Sequence, residues 1–81
     1  MVYVFLANGF EEMEAIAPID LLRRAERKVI TVAVGTDTTI VTGAHGIRIH
    51  ADITEQQADF TGIEMVVLPG GMPGTLHLEQ S

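Results

Sequence analysis

Three short apolar runs place the strongest constraint on what this chain can fold into. They are rich in β-branched residues, each is followed by a glycine or a turn, and they span residues 2–7, 29–34 and 65–68. Their apolarity is continuous rather than alternating, which is typical of parallel strands that are covered on both faces. The runs therefore predict an α/β fold built on a parallel sheet.

The segment between the first two runs has the pattern of an amphipathic helix. In residues 11–27, apolar side chains recur at helical spacing, with acids at the start and arginines at the end. Both groups of charges complement the helix dipole. We expect the crossover helix of a βαβ unit, with a kink or a loosened first turn because Pro18 removes one backbone donor.

Further elements are predicted downstream. Residues 38–49 alternate around a Thr-Gly-Ala-His-Gly segment, which is typical of a β-hairpin or a pair of short edge strands. Residues 52–60 can hold one helical turn capped by Asp52 or Thr54. A last helix is expected to open at Thr75.

Length and composition narrow the classes of function. The 81 residues fit one small domain, and 47% hydrophobic residues exclude a disordered tail. Five Lys and Arg against eleven Asp and Glu give a formal net charge of −6, which argues against nucleic acid and anionic membranes as partners. No apolar run has the length of a membrane span or the form of a signal peptide, so we expect a soluble cytoplasmic protein.

Three glutamates crowd the entrance of the predicted helix, directly after the first strand. Gly9 permits a sharp turn, and Glu11, Glu12 and Glu14 follow it at the sheet edge where open α/β folds bind ligands. In one interpretation they are solvated acids that interact favourably with the helix dipole. In the other, one of them is a buried general acid or base. Glu14 is the best candidate, because its apolar neighbours would favour the protonated form.

A glycine-rich turn at residues 68–71 follows the third strand. Glycines leave backbone N–H groups unobstructed, and such amides can stabilise an oxyanion. Alternatively, the glycines only allow a turn with positive φ. The histidines His45, His50 and His77 lack the spacing of a helical metal site, and the chain has no cysteine, so no metal site is predicted.

Three segments, in this order and spacing, resemble the amino-terminal half of the DJ-1/ThiJ/PfpI superfamily. They are Phe5-Leu6-Ala7 with the following G-x-E-E-M-E-A stretch, Asp20-Leu21-Leu22-Arg23-Arg24-Ala25, and Val66-Val67-Leu68-Pro69-Gly70-Gly71. The G-x-E-E-x-E stretch favours the DJ-1-like branch over the PfpI peptidases. The resemblance implies a flavodoxin-like three-layer α/β sandwich, of which residues 1–81 form the amino-terminal part of a single domain.

The resemblance also implies a cofactor-independent glyoxalase or deglycase. In the family, a glutamate on the first helix, here Glu14, hydrogen-bonds a reactive cysteine at a nucleophile elbow. The second glycine of the P-G-G turn, here Gly71, offers its amide to an oxyanion, with Gly70 shaping the turn. The cysteine and its histidine partner belong to the family's second half. Thiolate attack on methylglyoxal or a glycated adduct, with Glu14 moving protons, is the implied mechanism.

Other functions stay open. A thiolate beside a protonated glutamate is readily oxidised, which also fits a redox-sensing chaperone or a stress-response binding protein. A PfpI-type cysteine peptidase or amidase is a further alternative. A Mg²⁺-binding receiver-like module needs an Asp at the end of the third strand, where residues 68–70 supply none.

The implied partners are the rest of the polypeptide and a second copy of the protein. Three strands and one helix would leave a sheet face and the far edge of the last strand bare, so we expect a carboxy-terminal remainder to pack there. In the family, dimers form through the first helix and the hairpin.

Two positions depart from the family's pattern. Glu26 stands where relatives usually have glycine, and a non-glycine residue in the left-handed conformation costs on the order of 1 kcal/mol. We therefore expect the helix to end differently. Glu64 replaces the usual Asp before the third strand.

Overall fold

The computed structural model describes residues 1–70 and contains a parallel sheet, one helix and a separate hairpin. The elements in chain order are β1 Val2–Leu6, α1 Glu12–Arg24, β2 Val29–Ala33, β3 Ile40–Thr42, β4 Arg48–His50, β5 Ile53–Thr54, a 3₁₀ turn Glu55–Gln57, and β6 Met65–Val67. The expected helix at Thr75 lies outside the described residues.

The four-stranded sheet is parallel throughout and has the order β5-β2-β1-β6. Val2 of β1 pairs with Val29 of β2 on one side and with Met65 of β6 on the other. The three apolar runs thus form adjacent strands, and the predicted parallel α/β sheet is confirmed. Because the strands are parallel, the segments that follow β1 and β6 leave the sheet at the same edge.

One face of the sheet packs beneath α1. The residues of β1 alternate between the two faces, and those facing the helix are fully buried: Val2, Val4 and Leu6. Ala15 and Ile19 of α1 pack against them and are also buried. Only part of the apolar stripe predicted for the helix therefore joins the core, since Met13, Ile16 and Leu21 are exposed among the described residues.

The opposite face is covered only in part. Tyr3 and Phe5 meet Phe60 in an aromatic cluster, with ring centroids 5.8 Å apart for Tyr3 and Phe60 and 6.1 Å apart for Phe5 and Phe60. The Tyr3 hydroxyl donates a hydrogen bond to the carbonyl of Asp59 at 2.6 Å, which anchors the loop. Phe60 nevertheless stays 60% exposed, so within residues 1–70 this face has a bare apolar area.

The end of α1 corrects one expectation. The helix runs through Pro18 to Arg24, and Glu26 has a φ of 63°, in the left-handed region that glycine favours. Its N–H donates to the Arg23 carbonyl and the N–H of Arg27 donates to the Leu22 carbonyl, both at 3.0 Å. This is the Schellman arrangement, so the prediction that Glu26 would change the helix end is wrong.

The predicted hairpin and the predicted helical turn are confirmed, and the structure adds one strand. β3 and β4 form the predicted antiparallel hairpin, and Thr54 precedes the predicted helical turn. Asp52 does not cap that turn, because its Oδ2 accepts hydrogen bonds from the N–H and hydroxyl of Thr31, at 2.9 and 3.0 Å. Strand β5 was not predicted, since two residues are too few to give a pattern.

Strand β6 is an edge strand within the described part of the chain. Met65 and Val66 are 45% and 42% exposed, although the apolar run predicts burial on both faces. The outer edge of β6 is therefore bare among residues 1–70. No helix among residues 1–70 is both long enough and apolar enough to cross a membrane.

Candidate functional site

The turn between β1 and α1 is fixed by the hairpin. Gly9 has a φ of 91°, which favours glycine. Its N–H donates to the carbonyl of Thr42 at 2.8 Å, and the Asn8 side-chain oxygen accepts from the N–H of Thr42 at 3.0 Å. These contacts determine where the acids at the start of α1 lie.

The turn after β6 also contacts the start of α1. The carbonyl of Gly70 accepts a hydrogen bond from the N–H of Glu11 at 2.7 Å. The N–H of Gly70 donates to Glu14 Oε1 at 3.3 Å. The structure therefore brings Glu14 and Gly70 together at the carboxyl ends of two adjacent strands, and Gly71 lies outside the described residues.

Glu12, rather than Glu14, is the buried acid. Glu12 is 5% exposed, whereas Glu14 is exposed on the surface formed by residues 1–70. The expectation that apolar walls enclose Glu14 is therefore wrong for the described residues. The interpretation of all three acids as solvated charges is equally wrong for Glu12.

The hairpin loop supplies the partners of Glu12. Its Oε2 accepts hydrogen bonds from the N–H groups of His45, at 2.8 Å, and Ile47, at 3.3 Å. Its Oε1 lies 3.0 Å from Nδ1 of the His45 ring. A Cβ at Gly43 would overlap the carboxylate and lie 2.8 Å from Glu12 Cγ, so the close approach requires glycine.

These contacts shift the pKa values of Glu12 and His45 in opposite directions. Burial by itself would raise the pKa of Glu12, but the hydrogen bonds from His45 and from the backbone outweigh it and lower this pKa to about 2. The hydrogen bond to Glu12, with the negative charges of Glu11 and Glu12, raises the pKa of His45. An ionised Glu12 therefore faces a histidine that readily takes up a proton.

Glu11, Glu12 and His45 place donor atoms within 4.8 Å of one another, the spacing of metal ligands. Both Glu12 oxygens already take part in the contacts to the hairpin, and these explain the cluster without a metal. His50 is exposed, and His77 lies outside the described residues.

The fold and the site define a flavodoxin-like α/β protein whose first helix meets a glycine turn at the carboxyl edge of the sheet. The model of the DJ-1/PfpI family matches residues 1–81, and the chain belongs to this family. The family resemblance and the α/β fold class are thus both confirmed.

Individual relatives agree with this assignment. The chain is 37% identical over 73 residues to protein DJ-1 homolog B of Arabidopsis thaliana, covering 90% of this chain and 16% of that protein. It is 29% identical over 70 residues to a deglycase of Thermococcus kodakarensis, covering 86% and 41%. The structure of oxidised DJ-1 from Toxoplasma gondii matches with a TM-score of 0.93 at 36% identity, over 99% of this chain and 43% of that one. The chain spans less than half the length of each.

Proposed function

We propose that residues 1–81 are the amino-terminal part of a single domain, and that the complete protein is a cofactor-independent glyoxalase or deglycase. In this proposal Glu14 carries protons, and Gly71 stabilises an oxyanion. The observation that supports it most is the position of the Glu14 carboxylate. It is exposed at the sheet edge, within hydrogen-bonding distance of Gly70.

The proposed chemistry needs a thiol from the carboxy-terminal remainder. The thiolate adds to the aldehyde carbon of methylglyoxal, and protonation of the alkoxide gives a hemithioacetal. Glu14 takes the proton from the former aldehyde carbon, and a proton is returned to the neighbouring carbon through an enediol, which yields a thioester of lactic acid. Water hydrolyses the thioester to lactate and the free thiol, so the net reaction consumes water and no oxidant. At the adduct carbon of a glycated amine or thiol the enzyme thiol would form the same hemithioacetal as the amine or thiol leaves with a proton.

The bare surfaces of the described residues support two proposed partners. The outer edge of β6 and the aromatic cluster fit the remainder of the same domain, since an unpaired strand and exposed rings favour burial. On the first helix Met13, Ile16 and Leu21 are exposed, as are Ile40 and Ile47 of the hairpin. We assign that face to a second copy in a homodimer.

Methylglyoxal consumption by the complete protein tests the reaction class. We expect lactate to form in the presence of a metal chelator and its formation to stop after alkylation of thiols. Absence of turnover, or turnover that survives alkylation, would contradict the proposal. If the protein suppresses aggregation of a denatured client but consumes no methylglyoxal, the chaperone alternative replaces it.

A further inference from the structure

Gly70 contacts the start of α1 at two points. Its carbonyl accepts from the N–H of Glu11 at 2.7 Å, and its N–H donates to Glu14 Oε1 at 3.3 Å. The first contact fixes the backbone of the turn relative to the helix. The second contact is made to the carboxylate of Glu14, which carries protons in the proposed reaction.

The conformation of Gly70 does not explain why a glycine stands there. Positive φ is found at Gly9, Gly35, Gly46 and Gly62 among the described residues, and not at Gly70. The interpretation that glycine here only permits a left-handed turn is therefore wrong for this position. A positive φ is therefore not what would penalise a side chain at Gly70.

The lack of space beside the Glu14 carboxylate explains why a glycine stands at position 70. A Cβ built on Gly70 would lie 2.8 Å from Glu14 Oε1 and 3.5 Å from Glu14 Cδ. The obstructed atoms are the far end of a flexible side chain, which can rotate away into solvent. Alanine at this position would therefore move the Glu14 carboxylate and leave the fold intact.

We propose that Gly70 is a positioning residue that holds the Glu14 carboxylate, and that its amide is not an oxyanion donor. This inference rests on the proposed function of Glu14. A single N–H directed at Glu14 Oε1 is occupied by that oxygen, so an oxyanion must find its donor elsewhere. A displacement of about 1 Å in a catalytic group can reduce turnover by about 100-fold.

Kinetics of the complete protein separate the two roles. We expect Gly70→Ala to lower kcat by about 10- to 100-fold, with KM changed by no more than about twofold and the melting temperature close to that of the wild type. In a Glu14→Gln background the same substitution should reduce kcat by no more than about twofold, because it acts through Glu14. An equal, large loss in both backgrounds would show that the amide acts on the substrate and would overturn the proposal.

Amide NMR tests the contact even if the protein turns over no methylglyoxal. In the complete protein, Glu14→Ala should shift the Gly70 amide proton upfield, because the hydrogen bond to Oε1 is lost. The amide of Gly62, whose Cβ position meets nothing within 4 Å, is the matched control and should not move. An unchanged Gly70 resonance would overturn the inference independently of the proposed function.

Discussion

The buried carboxylate of Glu12 accepts a hydrogen bond from the backbone N–H of His45, at 2.8 Å, and so joins the first turn of α1 to the loop of the hairpin. The carbonyl of Phe10, just before the helix, accepts from Ala44 in the same loop at 2.7 Å. The hairpin is thus attached to the start of the helix by contacts on both sides of Glu11, the N-cap residue. The segment that carries Glu14 is held by the hairpin as well as by the sheet.

Loss of the charge on Glu12 should destabilise the complete protein. Glu12→Gln replaces an acceptor of several hydrogen bonds by an amide whose NH₂ group would face donors. We expect the melting temperature to fall by roughly 5 °C, measured by differential scanning calorimetry. Glu14→Gln, at an exposed position two residues further into the helix, is the control and should stay close to the wild type. Equal melting temperatures for both variants would contradict a structural role for Glu12.

The effect of a substitution at Gly43 on stability should depend on the side chain at position 12. Gly43→Ala introduces a Cβ that overlaps the Glu12 carboxylate, and this carboxylate cannot move without breaking its contacts to the hairpin. We expect a marked fall in the melting temperature in the wild-type background and a smaller one in a Glu12→Ala background. Equal falls in the two backgrounds would show that the overlap is not the cause.

The Glu12–His45 pair should contribute a pH-dependent stability. Because the pKa of His45 is raised from 6.5, its contribution is fully present below about pH 6.5 and is lost as the pH rises through the folded-state value. The melting temperature of His45→Gln should therefore fall below that of the wild type by more at pH 5.5 than at pH 9. His50→Gln is the control, as an exposed histidine on β4. A difference that grows with rising pH would contradict the assignment.

The stability contribution of Glu12 depends on pH in the opposite direction to that of His45. Its pKa is lowered from 4.5 to about 2, so its contribution is present above pH 4.5 and is lost as the pH falls toward about 2. In acid titrations followed by circular dichroism, the stability difference between wild type and Glu12→Gln should shrink across this interval. A difference that remains constant down to pH 2 would contradict the lowered pKa.

Charges placed on the exposed face of α1 should dissociate the proposed homodimer. Met13 and Leu21 are 74% and 66% exposed, and glutamates at both positions would be buried at the interface. Sedimentation of Met13→Glu/Leu21→Glu should give a monomer of the complete protein, whereas Gln56→Glu, an exposed change on the 3₁₀ turn, should leave the dimer. A dimer that persists in the double variant would place the interface elsewhere.

The sheet could be predicted from the sequence because its signal is local. Each apolar run is bounded by its own turn, and the parallel pairing follows from the helix between β1 and β2. The end of α1 could not be predicted in the same way. Glu26 adopts a conformation that its type disfavours, and the hydrogen bonds that hold it there become visible only in the structure.

The geometry of the candidate site could be predicted in outline and not in detail. The carboxyl ends of adjacent strands brought Glu14 and Gly70 together, as the rule for parallel sheets requires. The burial of Glu12 was missed, because its partners in the hairpin loop are more than 30 positions away in sequence. Gly43 and His45 were visible in the sequence, but nothing in their spacing indicated which of the three acids they would enclose.

Methylglyoxal turnover by the complete protein with Glu14→Gln tests the central proposal most directly. Glu11→Gln is the matched control, since Glu11 lies on the same turn and only its backbone N–H contacts Gly70. We expect Glu14→Gln to lose about 100-fold or more in kcat and Glu11→Gln to stay within about threefold of the wild type. Turnover by Glu14→Gln equal to that of the wild type would contradict the role of Glu14 as the proton carrier.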